Sequence, residues 1–544
     1  MKRLWTILLL AGGLAMAASA QSQEVYKYWV RLTDKEGGSY TLSQPEEYLS
    51  PRALERRRRQ RIQIDSLDLP VSSLYAEALQ AAGFRVQNRS KWLNGVTLFA
   101  NDSLMASQLD TMPFVVSYQL LAKDSLKAPE MEAAEPTEPL EPATYGEMFD
   151  SAYYNYSYAQ IEQLNGTGLH RSGHRGEGII IGVCDGGFPG VDSLAAFDSL
   201  RSEGRLLAVR DFVWDGDSVF NVHNHGTLVL STMAADIAGL YVGTAPKAEY
   251  ALCRTENTVS ETPLEEYNWI AAAEYLDSLG ADIITTSLGY FYFDDSLMSH
   301  TLEDLDGRTS PMTQAADIAA SRGMLVLNAA GNDGDSDPQH LNVPADAERV
   351  LTIGAADHDG ACAYFSSHGP TYDLRIKPDV MALGRAVRCV NQMGAIGIAS
   401  GTSLACPIMA GMMACLWQQF PDWSPQQLCD SVRSWGRLAG SPDMAAGYGI
   451  PDFGHAVPPV GIIETDKAMP SFELWPNPAR HEVRCKNSVN GTISVMDIGG
   501  RTLAERRVPA GENVIDLRGM PAGMYFVRIM TDDGIAVRRL AVAQ

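Results

Sequence analysis

The stretch Ile179-Ile180-Ile181-Gly182-Val183-Cys184-Asp185-Gly186-Gly187 decides the fold. Its apolar run lacks the alternation of a half-exposed strand, so Ile179 to Val183 reads as a strand buried on both faces. Three further runs of this kind follow, at Ile283-Ile284, Met324 to Leu327 and Val350 to Ile353. Helical patterns, Leu264 to Leu279 and Gln314 to Arg322, lie between them. Strand, glycine turn and helix in repetition predict an α/β fold, a parallel sheet with helices on both faces. In such sheets the site lies beyond the carboxyl ends of the strands, so the residues after each run matter most.

Asp185 stands after the first run, trailed by two glycines. His225 sits in His223-Asn224-His225-Gly226-Thr227, before the helical stretch Leu228 to Ala235. Ser403 sits in Gly401-Thr402-Ser403-Leu404-Ala405-Cys406-Pro407, followed by a segment apolar on all sides, as expected of a helix through the core. Ser403 would then lie at a helix N-terminus, where free N–H groups and the dipole favour developing negative charge. A serine hydroxyl needs a base, and an imidazole serves best when a buried carboxylate fixes its tautomer. The order Asp, His, Ser is that of the subtilisin arrangement and differs from the chymotrypsin and α/β-hydrolase orders. Asn332, in Ala329-Ala330-Gly331-Asn332, follows a strand and can present an amide N–H to an oxyanion. His223 competes for the role of base, and Asp192 and Asp198 for that of carboxylate.

On these motifs the chain resembles the subtilase (subtilisin-like serine protease) family over roughly 300 residues. Gly-Thr-Ser-x-Ala-x-Pro is matched at 401–407, His-Gly-Thr at 225–227 and Ala-Ala-Gly-Asn at 329–332; Phe365 to Pro370 and Lys377 to Val380 look like further landmarks. The resemblance implies a secreted serine endopeptidase in which Asp185, His225, Ser403 and Asn332 do the chemistry through an acyl-enzyme intermediate. It implies too that Ser287-Leu288-Gly289 pairs with substrate backbone as an added strand, and that Ala329-Ala330-Gly331 lines the primary specificity pocket. One departure is Gly186, where the family usually has the Ser or Thr that helps hold the carboxylate. The chemistry calls for no cofactor. Subtilases often bind calcium, but its positions stay unassigned: Asp333 to Asp337 lacks the sixth-position Gly and distal Glu of an EF-hand and reads as a solvated loop. No metal ligands are assigned. The alternatives are a catalytically inactive cell-surface binding protein on this fold, or a serine esterase, for which the Gly-x-Ser-x-Gly elbow is missing.

Five segments result: a signal peptide at 1–20, a propeptide-like α+β module at 21–125, a Pro/Glu-rich linker at 126–150, the catalytic domain at 151–460 and a C-terminal β-sandwich at 461–544. The leader has Lys2 and Arg3, an apolar run and Ala18-Ser19-Ala20, the layout of a secretory signal. The second segment reads β-α-β-β-α-β, a ferredoxin-like unit, once the basic helix Arg52 to Arg61 is set aside. Arg56 to Arg59 within that helix is expected to be a solvated face. Subtilases carry such a unit as an inhibitory propeptide, which places its tail, near Ala122, in the cleft. Leu474-Trp475-Pro476-Asn477-Pro478-Ala479 and Met520 to Tyr525 resemble the type-nine secretion sorting domain of some Gram-negative bacteria. That implies outer-membrane secretion machinery as a partner and a route through the periplasm to the surface or medium.

Composition bounds the rest. A net charge of −23 argues against nucleic-acid binding, which needs clustered cations. No segment after the leader is apolar for long enough to span a bilayer, so the mature chain is expected to have no transmembrane segment, with proteins or peptides as substrates. Eight cysteines in 544 residues are far fewer than a disulfide scaffold carries, and several sit in apolar runs where a buried free thiol is the commoner state.

Overall fold

The computed structural model describes residues 24–125, 149–457 except 215 and 217, and 472–543 except 488–489, 498–501 and 532–533. The expected signal peptide and nearly all of the Pro/Glu-rich linker fall outside these residues. The chain forms two compact units, residues 1–457 and 458–544.

The first unit opens with β1 (Glu24–Leu32), α1 (Pro51–Gln60), α2 (Ser73–Ala81), β2 (Arg85–Ser90), β3 (Gly95–Ala100) and β4 (Val115–Ser125). These strands form an antiparallel sheet in the order β2-β3-β1-β4, the split arrangement read from the sequence. The second helix of the β-α-β-β-α-β pattern is a 3-10 turn, Met105–Thr111, in which Asp102 Oδ1 accepts from the Met105 N–H at 2.8 Å.

The central sheet comprises β5 (Ile180–Asp185), β6 (Leu206–Asp211), β7 (Glu249–Arg254), β8 (Ile283–Thr286), β9 (Leu325–Ala329), β10 (Leu351–Ala356) and β11 (Val380–Leu383). All seven run parallel in the order β11-β10-β9-β8-β5-β7-β6. Its two faces are covered by different helices. Ile181 and Val183 share a core with α3 (His225–Ala234) and α6 (Thr402–Gln419). Ile180 and Cys184 share the other with α4 (Leu264–Leu279) and α5 (Pro311–Ser321). Alternate residues of one strand thus feed opposite layers, which is why the run shows no polar positions. The same alternation turns Asp185 towards the face that α3 and α6 cover.

The N-terminal sheet packs on the α4 side. Trp29 stacks on Tyr267 with ring centroids 4.6 Å apart, and Glu274 accepts from Ser90 Oγ and the Lys91 N–H, each at 2.6 Å. Leu121 and Ala122 are buried in the same core. Ala122 therefore pairs with β1 inside strand β4 and does not lie in the cleft; the strand runs on to Ser125.

The basic run also departs from its expected place. Arg58 stays exposed beside Glu55, but Arg56 and Arg57 are 2% and 1% exposed. Both guanidinia reach the buried carboxylate of Asp277 on α4, Arg57 at 2.8 Å, and Lys91 Nζ reaches it at 2.8 Å. Burial alone would raise the Asp277 carboxyl, but Lys91, Arg56 and Arg57 outweigh it and hold the group well below its ordinary range. A charge run on a helix reads as solvated only until its partner is known, and this partner is some 220 residues away.

The second unit holds β12 (Phe472–Trp475), β13 (Glu482–Asn487), β14 (Gly491–Met496), β15 (Thr502–Val508), β16 (Gly511–Asp516), β17 (Gly523–Thr531) and β18 (Gly534–Val542). Two antiparallel sheets, β12-β13-β16 and β15-β14-β17-β18, enclose their own core of Val483, Cys485, Ile493, Val527, Ile529 and Leu540. This is the small β-sandwich expected for the C-terminal segment. All eight cysteines are free thiols, and only Cys362 is partly exposed.

Candidate active site

The carboxyl ends of β5, β8 and β9 and the start of α6 surround a cavity of about 350 Å³. Asp185, His225, Ser403 and Asn332 all line it, with Ser287, Leu288, Gly289, Ala329 and Gly331. Ala330 does not. It is buried in the α4-side core, because side chains at a strand end alternate and Ala330 falls between the two that face the cavity.

Asp185 is fully buried, while the side chain of His225 is 27% exposed, so the carboxylate is sealed and the imidazole is reachable. Nδ1 of His225 lies 2.9 Å from Asp185 Oδ1 and 3.1 Å from Oδ2. With Nδ1–H donating to the carboxylate, Nε2 is left bare to take a proton. Burial pulls the imidazole down in pKa, and the charge and hydrogen bond of Asp185, with Glu256 further off, raise it past the ordinary value. Gly186 has no side chain to hold the carboxylate, but its backbone N–H donates to Asp185 Oδ1 at 2.7 Å. Gly226 is required because α3 starts against the β5 turn; a Cβ there would sit 2.4 Å from the Gly187 carbonyl oxygen.

Ser403 occupies the second position of α6. Gly401 gives its hydroxyl room, since a Cβ at 401 would lie 2.8 Å from Ser403 Oγ. Pro407 lies four residues on and has no N–H, so the carbonyl of Ser403 lacks its helical partner. Ser287 Oγ supplies one at 2.7 Å, tying the strand-end segment to the serine. Asn332 Oδ1 accepts from the Thr402 N–H at 2.9 Å and from Thr402 Oγ1 at 3.1 Å, so the amide nitrogen is the free end. That nitrogen and Ser403 Oγ lie 3.6 and 2.8 Å from one point, the Cβ position at Gly401. Among the described residues no hydrogen bond joins Ser403 Oγ to His225; in free enzymes such contacts are often long and tighten with substrate.

None of the rivals takes a place in the Asp185–His225 hydrogen bond. His223 lines the cavity, but its recorded hydrogen bond is with the His225 N–H at 3.4 Å, and burial with the neighbouring imidazole lowers its pKa. Asp198 pairs with Arg201, and Asp192 accepts from Ser193. Glu256, Thr258, Glu261, Tyr290 and Asn342 also line the cavity, and the sequence reading did not select them. Glu256, Thr258 and Glu261 follow β7, so examining every strand end would have found three of them. Glu249 and Arg254, charges at the two ends of β7, hid that strand among the apolar runs.

A parallel α/β sheet with a buried Asp–His pair and a serine at a helix start is the layout expected of a serine peptidase. Residues 176–444 match the Subtilase family, 27–137 the Peptidase S8 propeptide domain of Bacteroidota, and 473–543 the secretion system C-terminal sorting domain. Serine protease AprX of Bacillus subtilis is 31% identical over 290 residues, which cover 48% of this chain and 61% of that protein. Subtilisin E of Bacillus subtilis is 30% identical, over 53% of this chain and 69% of its own length. Subtilisin of Bacillus pumilus is 30% identical over 52% of this chain and 92% of its own. The chain belongs to the subtilase family.

Proposed function

We propose that this protein is a secreted serine endopeptidase acting through Asp185, His225 and Ser403. The observation that carries the reading is the Asp185–His225 hydrogen bond within the cavity that Ser403 lines. Ser403 Oγ attacks the scissile carbonyl carbon as His225 Nε2 takes its proton, and Asp185 stabilises the resulting imidazolium. The oxyanion receives a hydrogen bond from Asn332 Nδ2 and faces the N-terminus of α6. The tetrahedral species collapses to an acyl-enzyme, and His225 returns the proton to the departing amine. Water, activated by the same imidazole, then releases the acid. No step draws on a metal or a cofactor. Asn332→Ala is expected to lower turnover by on the order of 10²–10³ with little change in substrate binding; steady-state kinetics on a peptide ester and amide checks this. A rise in the Michaelis constant alone would make Asn332 a binding residue.

The N-terminal module serves as the inhibitory propeptide, and the C-terminal sandwich directs the chain through the outer membrane to the surface or medium. The described residues of the sandwich bury a core of their own. Deleting residues 467–544 is therefore expected to leave a folded protease that accumulates in the periplasm. Fractionating cells that express both forms decides it. Export of the truncated form would refute the sorting role, and failure to fold would make the sandwich part of the protease.

A further inference from the structure

One wall of the cavity is acidic in a way the hydrolytic chemistry does not use. The segment after β7 brings Glu256, Thr258 and Glu261 to the cavity, beside Asp185 and Gly186. Glu256 is 7% exposed, and Tyr290 Oη donates to its Oε2 at 2.7 Å. Its Oε1 accepts no hydrogen bond among the described residues, nor does the carboxylate of Glu261. Behind them Glu265 is fully buried, with Oε1 unpartnered. Among the described residues no lysine or arginine lines the cavity. Arg254, two residues before Glu256, is 1% exposed and pairs through Nη1 with Asp211 at 2.9 Å; it does not line the cavity, and its charge reaches Glu256 without a hydrogen bond. Gly186 fits this wall: a Cβ there would lie 3.2 Å from Thr258 Cγ2 and 3.7 Å from Glu256 Cβ.

Carboxylates that line a cavity and have no hydrogen-bonded cation of their own are stabilised by a cation that enters with the ligand. We propose that Glu256 and Glu261 are specificity-determining residues that select peptides carrying lysine or arginine at the position lying against the His225 side of the cavity. The proposal rests on reading this cavity as the peptidase cleft. A guanidinium suits the site best, since its planar fork can engage two carboxylates at once. Burial, with Asp185 adding to it, lifts Glu256 to about 7; burial, with Glu256 and Asp294, lifts Glu261 to about 8. Tyr290, His225 and Arg254 oppose the first of these shifts. Rising pH therefore charges the wall, and the preference for basic peptides grows from pH 6 to pH 9. Titration of His225 acts on basic and neutral peptides alike and cancels in the ratio.

The test is a cleavage-site profile of unfolded proteins, followed by kcat/KM on matched peptides with arginine or norleucine at the enriched position. Fluorophosphonate labelling of every form runs alongside. Arginine is expected to be favoured by on the order of 10–100-fold, the size of a charge-assisted hydrogen bond. Glu256→Gln with Glu261→Gln should bring the ratio to within about threefold, the glutamine oxygen still accepting from Tyr290. Glu261→Lys, at the more exposed position, should invert it, and labelled variants are folded ones. Cleavage with no basic enrichment, or a ratio that survives both variants in labelled protein, overturns the proposal. Absence of both cleavage and labelling overturns the peptidase reading and this inference with it.

Discussion

Ser403→Ala is expected to lower peptide hydrolysis by roughly 10⁶, to the level left by binding and oxyanion donors alone. The hydroxyl lies over the α6 N-terminus, and its removal opens no core cavity, so the fold and the melting temperature should be kept. His225→Ala should cost nearly as much, because nucleophile and base act as one unit. The combined variant should be little worse than either alone. Stopped assays on purified protein, with circular dichroism to establish folding, give the numbers. Substantial activity in folded Ser403→Ala would mean another nucleophile.

The second large effect concerns Asp277. Its carboxylate is fully buried and meets Arg56, Arg57 and Lys91, of which the guanidinia are at most 2% exposed. Asp277→Ala leaves three cations facing each other without water. Breaking a buried pair by removing one partner costs about 3–5 kcal/mol. Arg57 retains Asp68 at 3.1 Å, which tempers the loss on that side only. Because the cations come from α1 and the β2–β3 turn while Asp277 belongs to α4, the cost falls on the docking of the N-terminal module. Separately purified module should therefore inhibit wild-type enzyme at micromolar concentration and Asp277→Ala enzyme some 10²-fold less well or worse, by the same energy. Equal inhibition of both would show that the ion cluster contributes nothing to docking.

Much of this site was legible because it sits on strands whose burial is written in unbroken apolar runs. Ile179 to Val183 placed Asp185, Met324 to Leu327 placed Asn332, and the apolar helix after Ser403 placed the nucleophile. Local sequence carried these because strand, turn and helix succeed one another over a few residues. What it could not carry were contacts between distant segments. Arg56 and Arg57 looked solvated because Asp277 is remote in the chain. Ala122 was expected in the cleft because nothing local shows that strand β4 continues to Ser125. Ala330 was grouped with its neighbours by motif, whereas strand alternation sends it to the opposite face. Gly186 lacks the side chain that would help hold the carboxylate before it, yet its backbone N–H, which does not depend on the side chain, still bonds to Asp185.

The central claim is that Ser403 is a nucleophile activated by His225. Labelling the wild-type protein with a fluorophosphonate and mapping the modified peptide by mass spectrometry tests it most directly. The account predicts one adduct, on Ser403, absent from Ser403→Ala and strongly slowed in His225→Ala. An unlabelled but folded wild-type protein, freed of its N-terminal module, or an adduct on any other residue, would contradict it.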